Sequence, residues 1–243
     1  MILHLRFGFA LACALLSQQA FADYEYGCDD PQYHQYVAMR FAQFEVTNKR
    51  LLSETLREYQ NSLSNSTNPF RAISDLTRHV KYSAQFEAID VVEAKIERLF
   101  KHGDNLRVDQ QVAVSAFDNF SDENHAIGIA RAWVAYRQGD TQTAFSEMLT
   151  SIEGADSAVL SSFGPDLYFV RHIYKDGHVA PVLKYLKETE QFWNGKNADN
   201  MRYIWRSMID ANCKIAFESH DAIKALELGL RVRDVSRNYS VND

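Results

Sequence analysis

The chain has little of what interrupts helices. Its 243 residues include only 4 prolines and 10 glycines, and most of these stand between runs of apolar residues spaced three and four apart. Apolar–polar alternation never persists for the length of a strand, so no sheet is expected. Long hydrophobic runs are also scarce. The stretch Phe7–Leu16 is shorter than the ~20 residues a membrane-crossing helix needs, and nothing later is as apolar. Basic charge is in deficit, with 26 Lys and Arg against 32 Asp and Glu and a net charge of −6. That balance argues against nucleic acid, whose phosphates demand cations, and against a polybasic hold on anionic lipid.

The short motifs that announce chemistry are absent too. The sequence contains no His-Glu-x-x-His, no Gly-x-Ser-x-Gly, no phosphate loop and no Cys-x-x-Cys. The histidines are scattered. His172 and His178 lie six apart across Gly177, without the spacing of a zinc site, so no metal or cofactor is implied. Glu54, Glu58, Glu93 and Glu97 read as solvated helix faces with i,i+4 pairs rather than as a catalytic dyad.

What is present begins with a targeting pattern. Arg6 is the only full charge before Asp23, an apolar run follows it, and Ala20-Phe21-Ala22 supplies small residues at a cleavage site. Residues 1–22 are predicted to be a signal peptide, with the rest of the chain exported to the periplasm or the cell exterior. Cys13 follows Ala10-Leu11-Ala12, loosely a lipidation box, but the apolar run continues past it. Cys28 and Cys213 remain after cleavage. In an oxidising compartment an even pair suggests a disulfide. Cys213 also reads as a small buried hydrophobe among Met208, Ile209, Ala216 and Phe217, and an extended array would hold the two cysteines too far apart.

After Asp30-Pro31, a helix start, Tyr33, Val37, Phe41, Phe44, Leu52, Leu56, Tyr59 and Leu63 recur at helical spacing across a polar break at Asn48. They form one long helix or two end to end. Short helices follow around Ile73–Val80, around Phe86–Leu99 with Gly103 closing it, and around Val108–Phe117. In the second half Ser121 caps a helix that ends at Gln138-Gly139, and Asp140 caps the next. The same tight turn recurs at Lys175-Asp176-Gly177, and a weaker one is expected at Ser219-His220-Asp221.

The run Ala135–Ala144 resembles the centre of a tetratricopeptide repeat, with Tyr136 and Gly139 ending helix A and small residues at Ala132 and Ala144. It departs from the pattern at Arg131 and Ser151, where the repeat prefers leucine and alanine. From Asn124 to Trp193 the chain also resembles a group of small bacterial helical proteins. The shared residues are Gly139-Asp140, Ser162-Phe163-Gly164-Pro165, Val182-Leu183, Tyr185-Leu186 and Phe192-Trp193, and they imply a fold without a chemistry. The repeat frame would turn Tyr136, Arg137, Arg171, Tyr174 and Lys175 toward a concave face, as contacts for a partner, with Trp133 read as core.

The sequence therefore predicts an all-α protein of antiparallel helical hairpins stacked as a tetratricopeptide-like array. Residues 23–120 would form an N-terminal helical region and residues 121–243 the hairpins. The expected role is a non-enzymatic module that binds or scaffolds another protein or peptide, without nucleic acid or membrane insertion. The alternatives are a helical enzyme assembled from dispersed acids, or a self-associating structural protein. Intact mass of the exported protein is expected to start at Asp23, and a mass retaining an acylated Cys13 would refute that start.

Overall fold

The computed structural model describes residues 27–65, 68–109, 121–155 and 157–229. Among these residues there is no strand, and ten α-helices follow one another. They are α1 (Pro31–Asn65), α2 (Pro69–Phe86), α3 (Ile89–Asp109), α4 (Ser121–Arg137), α5 (Thr141–Thr150), α6 (Ala158–Phe163), α7 (Tyr168–Lys175), α8 (Val179–Glu188), α9 (Lys196–Asp210) and α10 (His220–Glu227). No helix among them is long and apolar enough to cross a membrane. The expected signal segment, and most of the short helix expected near Val108–Phe117, lie outside the described residues.

The first amphipathic run is one helix of 35 residues, about 50 Å long at 1.5 Å per residue. Asp30 caps it through Oδ1, which accepts from the Gln32 N–H at 2.9 Å, and Pro31 occupies the first turn, where its missing N–H costs nothing. The polar break at Asn48 does not divide the helix. Asn48 is buried, and its Nδ2 donates to Gln85 Oε1 of α2 at 2.9 Å. Gly103 does not close α3 either; the helix runs on to Asp109.

α2 and α4 form the centre. Ile129, Ala130, Ala132, Val134 and Ala135 of α4 are all buried, because α2, α3, α5 and α7 each pack against it. A helix covered on so many sides loses its polar face. Trp133 is core as well, meeting the Phe169 ring edge-on at 5.2 Å. One apolar cluster runs continuously from Tyr33 to Ala225, joining the regions on either side of residue 120.

Three helices end in the same way. Asp140 N–H donates to Ala135 C=O at 2.9 Å and Gly139 N–H to Tyr136 C=O at 3.0 Å, a Schellman motif with Gly139 at φ +85°. The end of α7 repeats it, with His178 N–H on Ile173 C=O and Gly177 at φ +90°. The end of α9 repeats it again, with Cys213 N–H on Met208 C=O and Asn212 at φ 57°. This last turn corrects the hairpin expected at Ser219–Asp221. The reversal falls earlier, at Ala211–Asn212, and residues 213–219 form a loop before α10.

That loop receives the start of α1. Cys28 and Cys213 lie at disulfide distance, their Cα atoms 4.7 Å apart, so the two cysteines meet rather than standing apart as an extended array would hold them. Arg40 of α1 forms an ion pair with Glu218, and Lys224 of α10 forms one with Asp30 at 2.8 Å.

The Ser162-Phe163-Gly164-Pro165 and Phe192-Trp193 segments also meet. A Cβ on Gly164 would lie 2.7 Å from Trp193 Cε2, and Gly164 holds φ +81°, ψ 175°, a conformation essentially restricted to glycine. Around Gly139 nothing lies within 4 Å of a would-be Cβ. Gly139→Ala is therefore expected to cost about 1–2 kcal/mol through backbone conformation alone, and Gly164→Ala more, because the indole must also move. Chemical denaturation should rank the two in that order, and equal midpoints would remove the Gly164–Trp193 contact from the account.

Candidate binding groove

The five side chains that the repeat frame turned toward a partner all make contacts within the fold. Tyr136 Oη donates to Asp176 Oδ2 at 2.7 Å, linking the two glycine turns. Arg137 Nη1 donates to Ala84 C=O at 2.9 Å, near the C-terminal end of α2, where a cation suits the helix dipole. Tyr174 Oη donates to Cys213 C=O at 2.6 Å, and the Lys175 ammonium lies 5.9 Å from the Phe41 ring centroid. Arg171 is 7% exposed. Its Nε donates to Ala216 C=O and its Nη2 to Phe217 C=O, while its guanidinium lies 3.9 Å from the Phe44 ring centroid. Arg171 is thus withdrawn into the fold, Tyr136 and Tyr174 are half-buried, and Arg137 and Lys175 remain exposed.

Two buried histidines come close to familiar catalytic pairings. His125 Nδ1 stands 3.1 Å from Ser151 Oγ, and Asp166 is adjacent. The proton order runs the wrong way for a hydrolase. The Asp166 backbone N–H donates to His125 Nε2 at 3.0 Å, so the neutral ring carries its proton on Nδ1. Ser151 Oγ accepts that proton and donates its own to Met148 C=O at 2.7 Å. A base for the serine would need the opposite tautomer. Burial penalises the Asp166 carboxylate, yet the Lys81 ammonium at 2.7 Å and the Tyr168 N–H hold it below the usual range.

His79 is held by the same device. The Lys95 ammonium donates to its Nε2 at 2.7 Å, its Nδ1 faces Thr55 Oγ1 at 3.1 Å, and Thr55 donates to Leu51 C=O at 2.7 Å. Lys95 also pairs with Glu87 and donates to Ser83 Oγ at 3.1 Å. These groups are mutually satisfied, as buried polar groups must be. Among the described residues no set of three or more His, Cys, Asp or Glu could hold a metal ion.

The open concavity lies elsewhere, between α3, α4 and α5, with a volume of about 450 Å³. On α3, Glu93, Ile96, Glu97 and Phe100 share one face, and Arg131, Val134 and Ala135 of α4, with Gln138 in the turn after it, repeat the i, i+3, i+4, i+7 spacing. Thr143 and Glu147 of α5 form the third wall. Ile96, Val134 and Ala135 make an apolar floor, each under one tenth exposed, whereas Phe100 stands 46% exposed at one end. The Arg131 guanidinium lies 5.6 Å from the Phe100 centroid, within cation–π range.

Sequence reasoning treated Glu93 and Glu97 as ordinary solvated charges. The available signal was Phe100, one helical turn beyond Ile96 on the same face as these acids, and too large for a purely polar stripe. Comparison of the chain with protein-family models, with characterised proteins and with solved structures found no match.

Burial and the neighbouring Lys95 ammonium push the His79 imidazole from 6.5 down to about 4. The unfolded chain therefore binds a proton between those values that the folded chain refuses. Stability present above pH ~6.5 should fall by about 3 kcal/mol as the pH drops to ~4. His125, also pushed down by burial, acts in the same direction. Urea titrations at several pH values should show this slope, and His79→Leu, though less stable throughout, should show a shallower one. An unchanged slope in the variant would assign the pH dependence elsewhere.

Proposed function

We propose that this chain is an exported, non-enzymatic binding module of helical-repeat type, and that the α3–α4–α5 groove is its binding site. The groove carries the reading: it is the site where an apolar floor and a half-exposed aromatic ring open to solvent between helices. Ligand sites commonly combine such a concave apolar surface with a few polar groups at its edge. The repeat-like frame is supported by the glycine turns after α4 and α7, whose backbone hydrogen bonds recur with an offset of 38 residues, from Ala135 to Ile173. It is supported further by α4 packing on α7 and α5 on α8, helix A on helix A and helix B on helix B. A Cys28–Cys213 disulfide suits an oxidising compartment outside the cytoplasm.

The test is photo-crosslinking in the native host. A benzophenone side chain at Gln138, exposed in the groove, is expected to trap a discrete partner. The same group at Gln60, exposed on α1 and outside the groove, should not trap it. Absence of an adduct at Gln138, or equal adducts at both positions, would overturn the reading.

A further inference from the structure

The groove carries a charge pattern that narrows what it can hold. Glu93, Glu97 and Glu147 stand at its rim, and among the described residues none of their carboxylates makes an ion pair or hydrogen bond. Glu93 and Glu97 are four apart on α3, the spacing at which like charges on a helix repel. Among the described residues that line the groove the one cation, Arg131, lies toward Phe100 at one end. Along α1, by contrast, each acid is paired: Glu45 with Lys49, Glu54 with Arg50, and Glu58 with Arg78. The groove thus concentrates unneutralised negative charge beside an apolar floor.

We infer that the occupant is a cationic peptide segment of a partner protein, with one apolar side chain set on Ile96 and Val134 and Lys or Arg side chains flanking it. This deepens the binding-module reading and rests on it. The face of α3 from Glu93 to Phe100 is about 10 Å long at 1.5 Å per residue, the reach of about three residues of extended chain. A peptide of that size can place its apolar side chain on the floor and its cations at the three carboxylates. Phe100 offers a further aromatic face to whichever cation lies nearest it. Polar pairs at a rim of this kind govern encounter rate and choice of partner, while the buried apolar contact supplies most of the affinity. An anionic or neutral segment would leave the three carboxylates repelling one another.

The experiment uses the full mature chain and a random peptide library displayed on phage, with selected peptides then synthesised and measured by fluorescence anisotropy. Enriched sequences are expected to carry an excess of Lys and Arg around an apolar residue. Their affinity should weaken about tenfold or more for the combined variant Glu93→Gln, Glu97→Gln, Glu147→Gln. It should also weaken as salt rises from ~50 to ~300 mM. The three substitutions remove no described intramolecular contact, so helicity and denaturation midpoint should stay at wild-type values. Enriched peptides without excess cations, or peptides indifferent to the variant, would overturn the inference while leaving the groove as a binding site. No enrichment alongside a Gln138 adduct would likewise reject a cationic peptide and keep the module. No enrichment and no adduct would reject both.

Discussion

Asp221 has no contact with solvent, so every hydrogen bond its carboxylate makes must come from the protein. Tyr33 Oη of α1 reaches it at 3.2 Å and Trp205 Nε1 of α9 at 3.0 Å. The backbone N–H groups of Ala216 and Glu218 complete the set at 3.1 and 2.9 Å. Burial pushes this carboxyl up, and the four donors oppose that shift. A buried carboxylate that lost its donors would be among the most destabilising groups a small protein can hold. The requirement fixes three elements relative to α10 at once. It also explains why Phe217, a bulky residue, is held at φ 55°: its ring packs against Tyr174 and Trp205 at 5.4 and 5.5 Å.

The same rule governs three further polar groups that enter the core. His79 and His125 each sit between one donor and one hydroxyl, and each hydroxyl returns its proton to a carbonyl of its own helix turn. Arg171 bridges two carbonyls of the 213–219 loop. The chain thus admits two histidines and an arginine to its interior and commits them to specific partners. Such groups fix how helices register, since a shifted helix would leave a buried donor unmatched. The acids of the α3–α4–α5 groove, by contrast, are without partners among the described residues.

Much of the fold could be read from the sequence because its causes are local. Scarce proline, apolar spacing of three and four, and glycine at a helix end each act within a turn or two. Gly139 and Gly177 were legible for this reason. Asn48 was not, because its partner Gln85 lies on another helix and only that pairing turns a polar break into a continuous α1. Arg171 looked like a surface cation since nothing within α7 shows that carbonyls 45 and 46 residues away will need a donor. The groove is legible only after folding. Glu93 and Glu97 resemble other exposed acids until α4 and α5 come alongside and supply a floor.

The contact between residues 28 and 213 spans a sequence separation of 185, and it sets an order in time. A polypeptide is made from its N-terminus, so α1 exists before α9 and α10 do. Yet Cys213, Glu218, Asp221 and Lys224, which hold its first three turns, are delivered only after the helices between. Until then Tyr33, Tyr36 and Arg40 have none of those partners, and the newborn chain carries an aromatic helix end that waits for the 213–224 segment.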